Sequence, residues 1–273
     1  MLRLISLSLL VVSFTAGAIV IRHDVEDAKY RVRSTEFPAL ADLPGEAHGV
    51  LIAPQWVVTA AHTTLGHPTE IILNGVPRKV ERLVVHPGYK TLPNDLIAQA
   101  IESGDASRAM AFQSSNDDIA LIKLSVPVTD VSPAPLYRGD REAGEVAKFI
   151  GKGATGDGIT GQAGPNRTVL RRAYGKIDRV EGHWLVSRFN AGLSAHELEG
   201  MSGSGDSGGP VLIEAEGQWW LAGLAAWKYV DGNAAAFRTG IYGQSTYNVR
   251  ISSYTKWIEG VLSSDACHLT AGC

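Results

Sequence analysis

Apolar positions in this chain gather in short runs of strand length, with Gly and Pro set between them. Residues 48–53 and 56–60 are two such runs split by Pro54-Gln55, which predicts a hairpin. Residues 78–85 alternate, with Val80, Leu83 and Val84 as the apolar members, and 118–124 (DIALIKL) reads as a further strand. Residues 145–150, 168–174, 184–189, 210–213 and 219–227 continue the pattern. Two stretches follow a helical period instead. Residues 92–104 (LPNDLIAQAIESG) place Pro93 early and Leu96, Ile97, Ala100 and Ile101 at helical spacing. Residues 252–262 open on serines and carry Trp257, Ile258, Val261 and Leu262 on one face. Many strands followed by a C-terminal helix predict two β-barrels or a sandwich. Residues 125–134 (SVPVTDVSPA), with two prolines, are the expected crossing between halves. No internal repeat or low-complexity segment breaks the pattern.

Composition narrows this picture. At 45% hydrophobic and 19% charged, the 273-residue chain is too apolar for a disordered protein, and 30 glycines with 12 prolines suit a turn-rich β fold. A net charge of −3 without a basic run argues against a nucleic-acid partner. Two cysteines are too few for a disulfide scaffold or a four-cysteine zinc site. The first eighteen residues stand apart. Arg3 precedes an apolar run from Leu4 to Ala16, and Ala16-Gly17-Ala18 supplies small residues for a signal peptidase. The run is short for a membrane span. A signal peptide cleaved after Ala18, and a secreted or periplasmic protein without a membrane span, are therefore expected.

Three short strings carry candidate chemistry. The most specific is Gly205-Asp206-Ser207-Gly208-Gly209-Pro210. A serine hydroxyl is a poor nucleophile until a base takes its proton, and flanking glycines allow a tight turn that aims backbone N–H groups at a developing oxyanion. The second string is Val57-Val58-Thr59-Ala60-Ala61-His62, a histidine at the end of a buried strand. The third is Asp118-Ile119-Ala120-Leu121-Ile122-Lys123-Leu124. The serine string also fits the looser G-x-S-x-G pattern of α/β-hydrolases, which want Ser, acid and His in that order. Only His268 follows Ser207, with Asp231 or Asp265 as acids, and the alternating helices of that fold are missing from the pattern.

Together these strings resemble the signatures of the chymotrypsin-like (trypsin-like) serine proteases, in that family's order and approximate spacing, and the resemblance runs from Ile19 to Ile258. It implies an all-β fold of two six-stranded antiparallel β-barrels with the site between them and a C-terminal helix. The expected parts are a barrel over 19–130 with a helical insertion near 92–115, a barrel over 131–251, and a helix and tail over 252–273. It implies Ser207 as nucleophile, His62 as general base and then acid, and Asp118 orienting the imidazole. Asp117 would face the other way on a strand. The N–H groups of Gly205 and Ser207 match the oxyanion hole. The implied reaction is peptide hydrolysis through an acyl-enzyme, with no metal or cofactor. Peptide or protein substrates, protein inhibitors and a monomeric state are the expected associations.

The departures from the family carry information too. Gly49, Thr63 and Gly203 stand near places where the family has cysteines, so Cys267–Cys273 is the only candidate bridge, tying the tail rather than the barrels. Met201 stands where trypsin-type members carry a pocket aspartate, which argues against cleavage after Arg or Lys. Ser202, Ala226, Trp227 and Lys228 are the other expected pocket residues. Lys228 replaces a glycine and either enters the pocket or runs outward. The family frees an Ile-Val terminus whose amine pairs with the aspartate before the nucleophile. Ile19 and Asp206 match that pair, and Ile19 directly follows the expected signal site. Two functions fit best, an active endopeptidase or a silent binding protein on the same fold, and an α/β-hydrolase-type esterase is the weaker third reading.

Overall fold

The computed structural model describes residues 19–166 and 169–269, with side chains to residue 265. The expected signal segment and the Cys267–Cys273 bridge lie outside the described residues. In chain order, β1 (Val20–Ile21) precedes a barrel of β2 (Leu40–Leu43), β3 (Ala47–Ala53), β4 (Trp56–Thr59), β5 (Glu70–Leu73), β6 (Val76–Val85) and β7 (Ala120–Leu124). It closes in the order β2-β3-β4-β7-β6-β5. Between β6 and β7 stand two helices, α1 (Asn94–Ser103) and α2 (Ser107–Ser114).

The second barrel starts at β8 (Val146–Gly151). Two short strands follow, β9 (Gly156–Asp157) and β10 (Gly161–Gln162). Then come β11 (Arg171–Glu181), β12 (Trp184–Arg188), β13 (Gly200–Met201), β14 (Pro210–Ala215), β15 (Gln218–Lys228) and β16 (Ser245–Arg250). This barrel closes as β11-β12-β16-β15-β14-β8, and a small separate sheet runs β10-β9-β1-β13. Helix α3 (Thr255–Leu269) ends the described chain. Among the described residues no helix is long and apolar enough to cross a membrane.

The interior follows the apolar runs. Strands β4 and β7 are buried throughout and pair as Val57↔Ile122 and Val58↔Leu121. Closure of each barrel leaves few free strand edges. The expected two-barrel architecture and C-terminal helix are both present. Two expectations change in detail. The insertion forms two helices rather than one, because Gly104 at φ 76° ends α1 in the left-handed region and the chain restarts at Ser107. The strand expected at 168–174 runs over Arg171–Glu181, where it pairs with β8 along 171–176 and then with β12.

Candidate active site

His62 sits in a 3-10 turn two residues beyond β4, and Asp118 lies two residues before β7. The β4–β7 register, with Thr59 opposite Ala120, brings the two together across neighbouring strands. The pairing is double. His62 N–H donates to Asp118 Oδ1 at 2.9 Å, and His62 Nδ1 lies 2.7 Å from Oδ2. This fixes the ring and its tautomer, leaving Nε2 for chemistry. Burial is the largest single influence on the His62 pKa and lowers it, the Asp118 charge and its hydrogen bond together outweigh that, and the Lys228 ammonium works against them; the net position is above the usual imidazole range. Asp117 points elsewhere: its Oδ1 accepts from the Tyr254 hydroxyl at 2.7 Å and Oδ2 lies 3.4 Å from His86 Nδ1.

Ser207 comes from the second barrel, just before β14, and its loop is fastened to the first. His48 N–H donates to the Ser207 carbonyl at 2.8 Å, and Gly208 N–H donates to Ala225 O at 2.7 Å. Gly208 has φ 75°, and a Cβ there would overlap the His48 carbonyl and the Thr59 hydroxyl. Gly205 has φ 89°, so a side chain would be strained at this position as well. Among the described residues neither the Gly205 nor the Ser207 amide donates to a protein acceptor. His62 and Ser207 line one cavity of about 330 Å³ with Pro44, Glu46, Thr63 and Pro68. No hydrogen bond joins His62 Nε2 to the Ser207 hydroxyl here; such contacts often close only with substrate in place.

Beneath the loop bearing Gly205 and Ser207 lies Asp206, 2% exposed. Its Oδ1 accepts from Gly153 N–H at 2.6 Å and its Oδ2 from Gly203 N–H at 2.8 Å. Gly151 and Gly153 make room for this carboxylate, since a Cβ at either would overlap it. The third neighbour is His48, whose Nε2 is 3.7 Å from Oδ1 and accepts from Lys152 N–H at 3.0 Å. His48 Nδ1 faces Asp42 at 3.3 Å, and Lys152 Nζ donates to Asp42 at 2.8 Å. Burial raises the Asp206 pKa above the carboxylate range, against the lowering effect of His48, the two amides and Lys228. Asp42 goes the other way, to about 2, as His48 and Lys152 outweigh its burial. Sequence reasoning passed over His48. The available signal was a fully buried histidine in an otherwise apolar strand.

Ile19 is 1% exposed, packed in the second barrel among Tyr30, Phe149 and Ala173. Its neighbour Val20 is held on both sides, opposite Met201 in β13 and Gly156 in β9. In the full chain the Ile19 nitrogen is a peptide nitrogen, so an ion pair with Asp206 belongs to a processed form. Met201 is 2% exposed, in a cluster with Val20, Phe189 and Tyr242. It offers no charge, and Ser202 is buried beside it. Trp227 stacks on Tyr247 at 4.0 Å, and Lys228 pairs with Thr246. A bulge between Ala225 and Trp227 sets which way these side chains face. Lys228 is half-buried, with its ammonium in electrostatic reach of Asp206 and His62. Burial lowers its pKa, Asp206 opposes that shift, and among the described residues no carboxylate lies within ion-pair distance.

A histidine doubly bonded to an aspartate therefore shares a cavity with a serine from the other barrel. Comparison of the sequence with known proteins places them in a lineage. The family model described as Trypsin matches residues 28–258. Mouse tryptase is 28% identical over 239 residues, covering 80% of this chain and 78% of the relative. Mouse vitamin K-dependent protein C is 26% identical over 247 residues, covering 81% of this chain; the chain spans only about half of that relative, 47% of its length. The match takes in both barrels and the segments bearing His62, Asp118 and Ser207, so this chain belongs to the trypsin family of serine proteases.

Proposed function

We propose that this chain is an exported, catalytically active endopeptidase working through a His62–Asp118–Ser207 triad. The observation that carries the proposal is the doubly bonded His62–Asp118 pair beside Ser207, next to two oxyanion-side amides without protein acceptors. Ser207 Oγ attacks the scissile carbonyl while His62 Nε2 takes its proton. The carbonyl oxygen becomes an oxyanion facing the Gly205 and Ser207 N–H groups. The imidazolium, balanced by Asp118, gives the proton to the leaving amine, and an acyl-serine remains. Water then attacks as His62 takes one of its protons; collapse frees the acid, and Ser207 recovers its proton. Substrates are peptides or proteins, and inhibitors are proteins that lie in the same cleft.

Specificity follows from what replaces an acidic pocket base. Met201 gives a basic side chain no anion, and the half-buried Lys228 repels one. Small apolar or acidic residues are the preferred acyl donors. Activation follows from processing: cleavage after Ala18 frees the Ile19 amine to pair with Asp206 and order the loop bearing Gly205. Ser207→Ala is expected to abolish turnover and fluorophosphonate labelling while the far-ultraviolet spectrum stays unchanged, because a half-exposed hydroxyl contributes little to stability. Retained peptidase activity in Ser207→Ala, or a cleavage profile dominated by Arg and Lys, would overturn the proposal. A wild-type protein that binds peptides but neither labels nor cleaves would be the silent binder.

A further inference from the structure

The α1–α2 insertion belongs by chain connection to the first barrel, yet its polar contacts reach the second. Ala234 N–H donates to Gly104 O at 3.0 Å, and Asp105 bridges Asn233 in antiparallel fashion. Val230 N–H meets Met110 Sδ at 3.3 Å. At the far end of the insertion Trp184 Nε1–H donates to Ser114 O at 2.8 Å, and His183 Nε2 lies 3.1 Å from Asn116 O. The insertion is thus tied down at both ends of a path across the gap between barrels.

Where it lands matters. Pairing of β15 with β14 stops at Leu224, whereas pairing with β16 runs on to Lys228. Residues 226–228 therefore present one free strand edge next to the nucleophile loop. A free edge takes an extended peptide by β-addition. Tyr229 N–H faces β16, bonding Ser245 O at 3.0 Å. With a two-residue period, the N–H groups of Lys228 and Val230 face the open side. The Lys228 position is open, and at Val230 the thioether of Met110 already occupies it. The free edge ends there.

We infer that the insertion is a strap that ends the acyl side of the cleft after about three substrate residues, since an extended chain advances one residue along this edge for each of 226–228. The enzyme then acts on peptides close to their amino terminus. This rests on the proteolytic role of Ser207, and the test separates the two. Peptides with one to six residues ahead of a fixed scissile bond are measured in parallel for kcat/KM on the wild-type enzyme and for affinity on Ser207→Ala. Both quantities are expected to rise up to three residues and then to stay flat or fall. In a variant with 92–114 replaced by a short Gly-Ser loop, affinity is expected to go on rising, about tenfold from three to five residues, as each added backbone pair and side chain finds a site. Met110→Ala, which clears only the Val230 position opposite the fifth residue, is expected to extend the rise to five residues and keeps the test open if the loop replacement does not fold. A wild-type affinity that climbs severalfold between three and five residues, or a profile unchanged in Met110→Ala, would overturn the strap. Loss of kcat alone, with the affinity plateau intact, would overturn only the proteolytic role.

Discussion

Lys228 is an unusual neighbour for a histidine paired with an aspartate. Its ammonium depresses the His62 pKa while Asp118 raises it, so its removal has a defined sign. A base works only when deprotonated, and the net raised His62 pKa places the acid limb of kcat/KM above the ordinary imidazole range. Lys228→Ala is expected to move that limb to higher pH, because the one opposing cation is gone. The check is a pH profile on a small ester, whose turnover does not depend on the pocket. A limb that stays put or moves down would show that the ammonium does not sit near the ring. His62, Asp118 and Ser207 stand out as candidates in the sequence because each sits in a contiguous string whose backbone conformation is local. The direction of Lys228 was not, because it depends on a bulge after Ala225 and on pairing with Thr246, eighteen positions along the chain. The role of His48 was hidden for the same reason: its neighbours Asp42, Lys152 and Asp206 come from three separate segments.

At the level of elements, the nucleophile loop is shaped by what cannot be there. Gly208 combines a left-handed φ with contact against first-barrel atoms. Gly208→Ala is therefore expected to destabilise the protein by about 2–4 kcal/mol, part from backbone strain and part from overpacking. Denaturant titration beside the wild type reads this directly, and a loss below the error of the method would mean that the loop relaxes freely. Strands with consecutive apolar residues, such as β4 and β7, were legible within a residue or two at their ends. Strands β2 and β5 were not picked out, since they carry mixed residues, and their state is decided by the neighbours they close against. Helix α2 escaped notice because its eight residues show no clear apolar face; contacts to the second barrel hold it in place.

On the scale of the whole molecule, the site exists only because two barrels meet. His62 and Asp118 stand on the first, Ser207 and Asp206 on the second, and the His48 N–H to Ser207 carbonyl bond crosses the join. The N-terminal segment adds a third input, with β1 clamped between β9 and β13 next to Met201. A secreted form beginning at Ile19 is expected to be active, and one extended by two residues before Ile19 to lose at least tenfold in kcat, since a buried charge without its partner costs about 3–5 kcal/mol. N-terminal sequencing with active-site titration of both forms decides this. The two-barrel architecture was legible from strand count and motif order, whereas the tie between barrels was not, because contacts between 104–116 and 183–234 leave no periodic trace.

That tie has a mechanical consequence. The two barrels share one hydrophobic cluster and the bond from His48 N–H to the Ser207 carbonyl, and the strap adds a further tie between them. Here the strap closes a ring of non-covalent bonds around the cleft, from β6 through Gly104 and Met110 onto the segment after β15, and back through Ser114 and Asn116 to β7. Calorimetry is expected to record one cooperative transition for the intact chain. With 92–114 replaced by a short loop, the transition is expected to move to lower temperature, so that the segment limiting how much substrate enters also helps the two halves stand together.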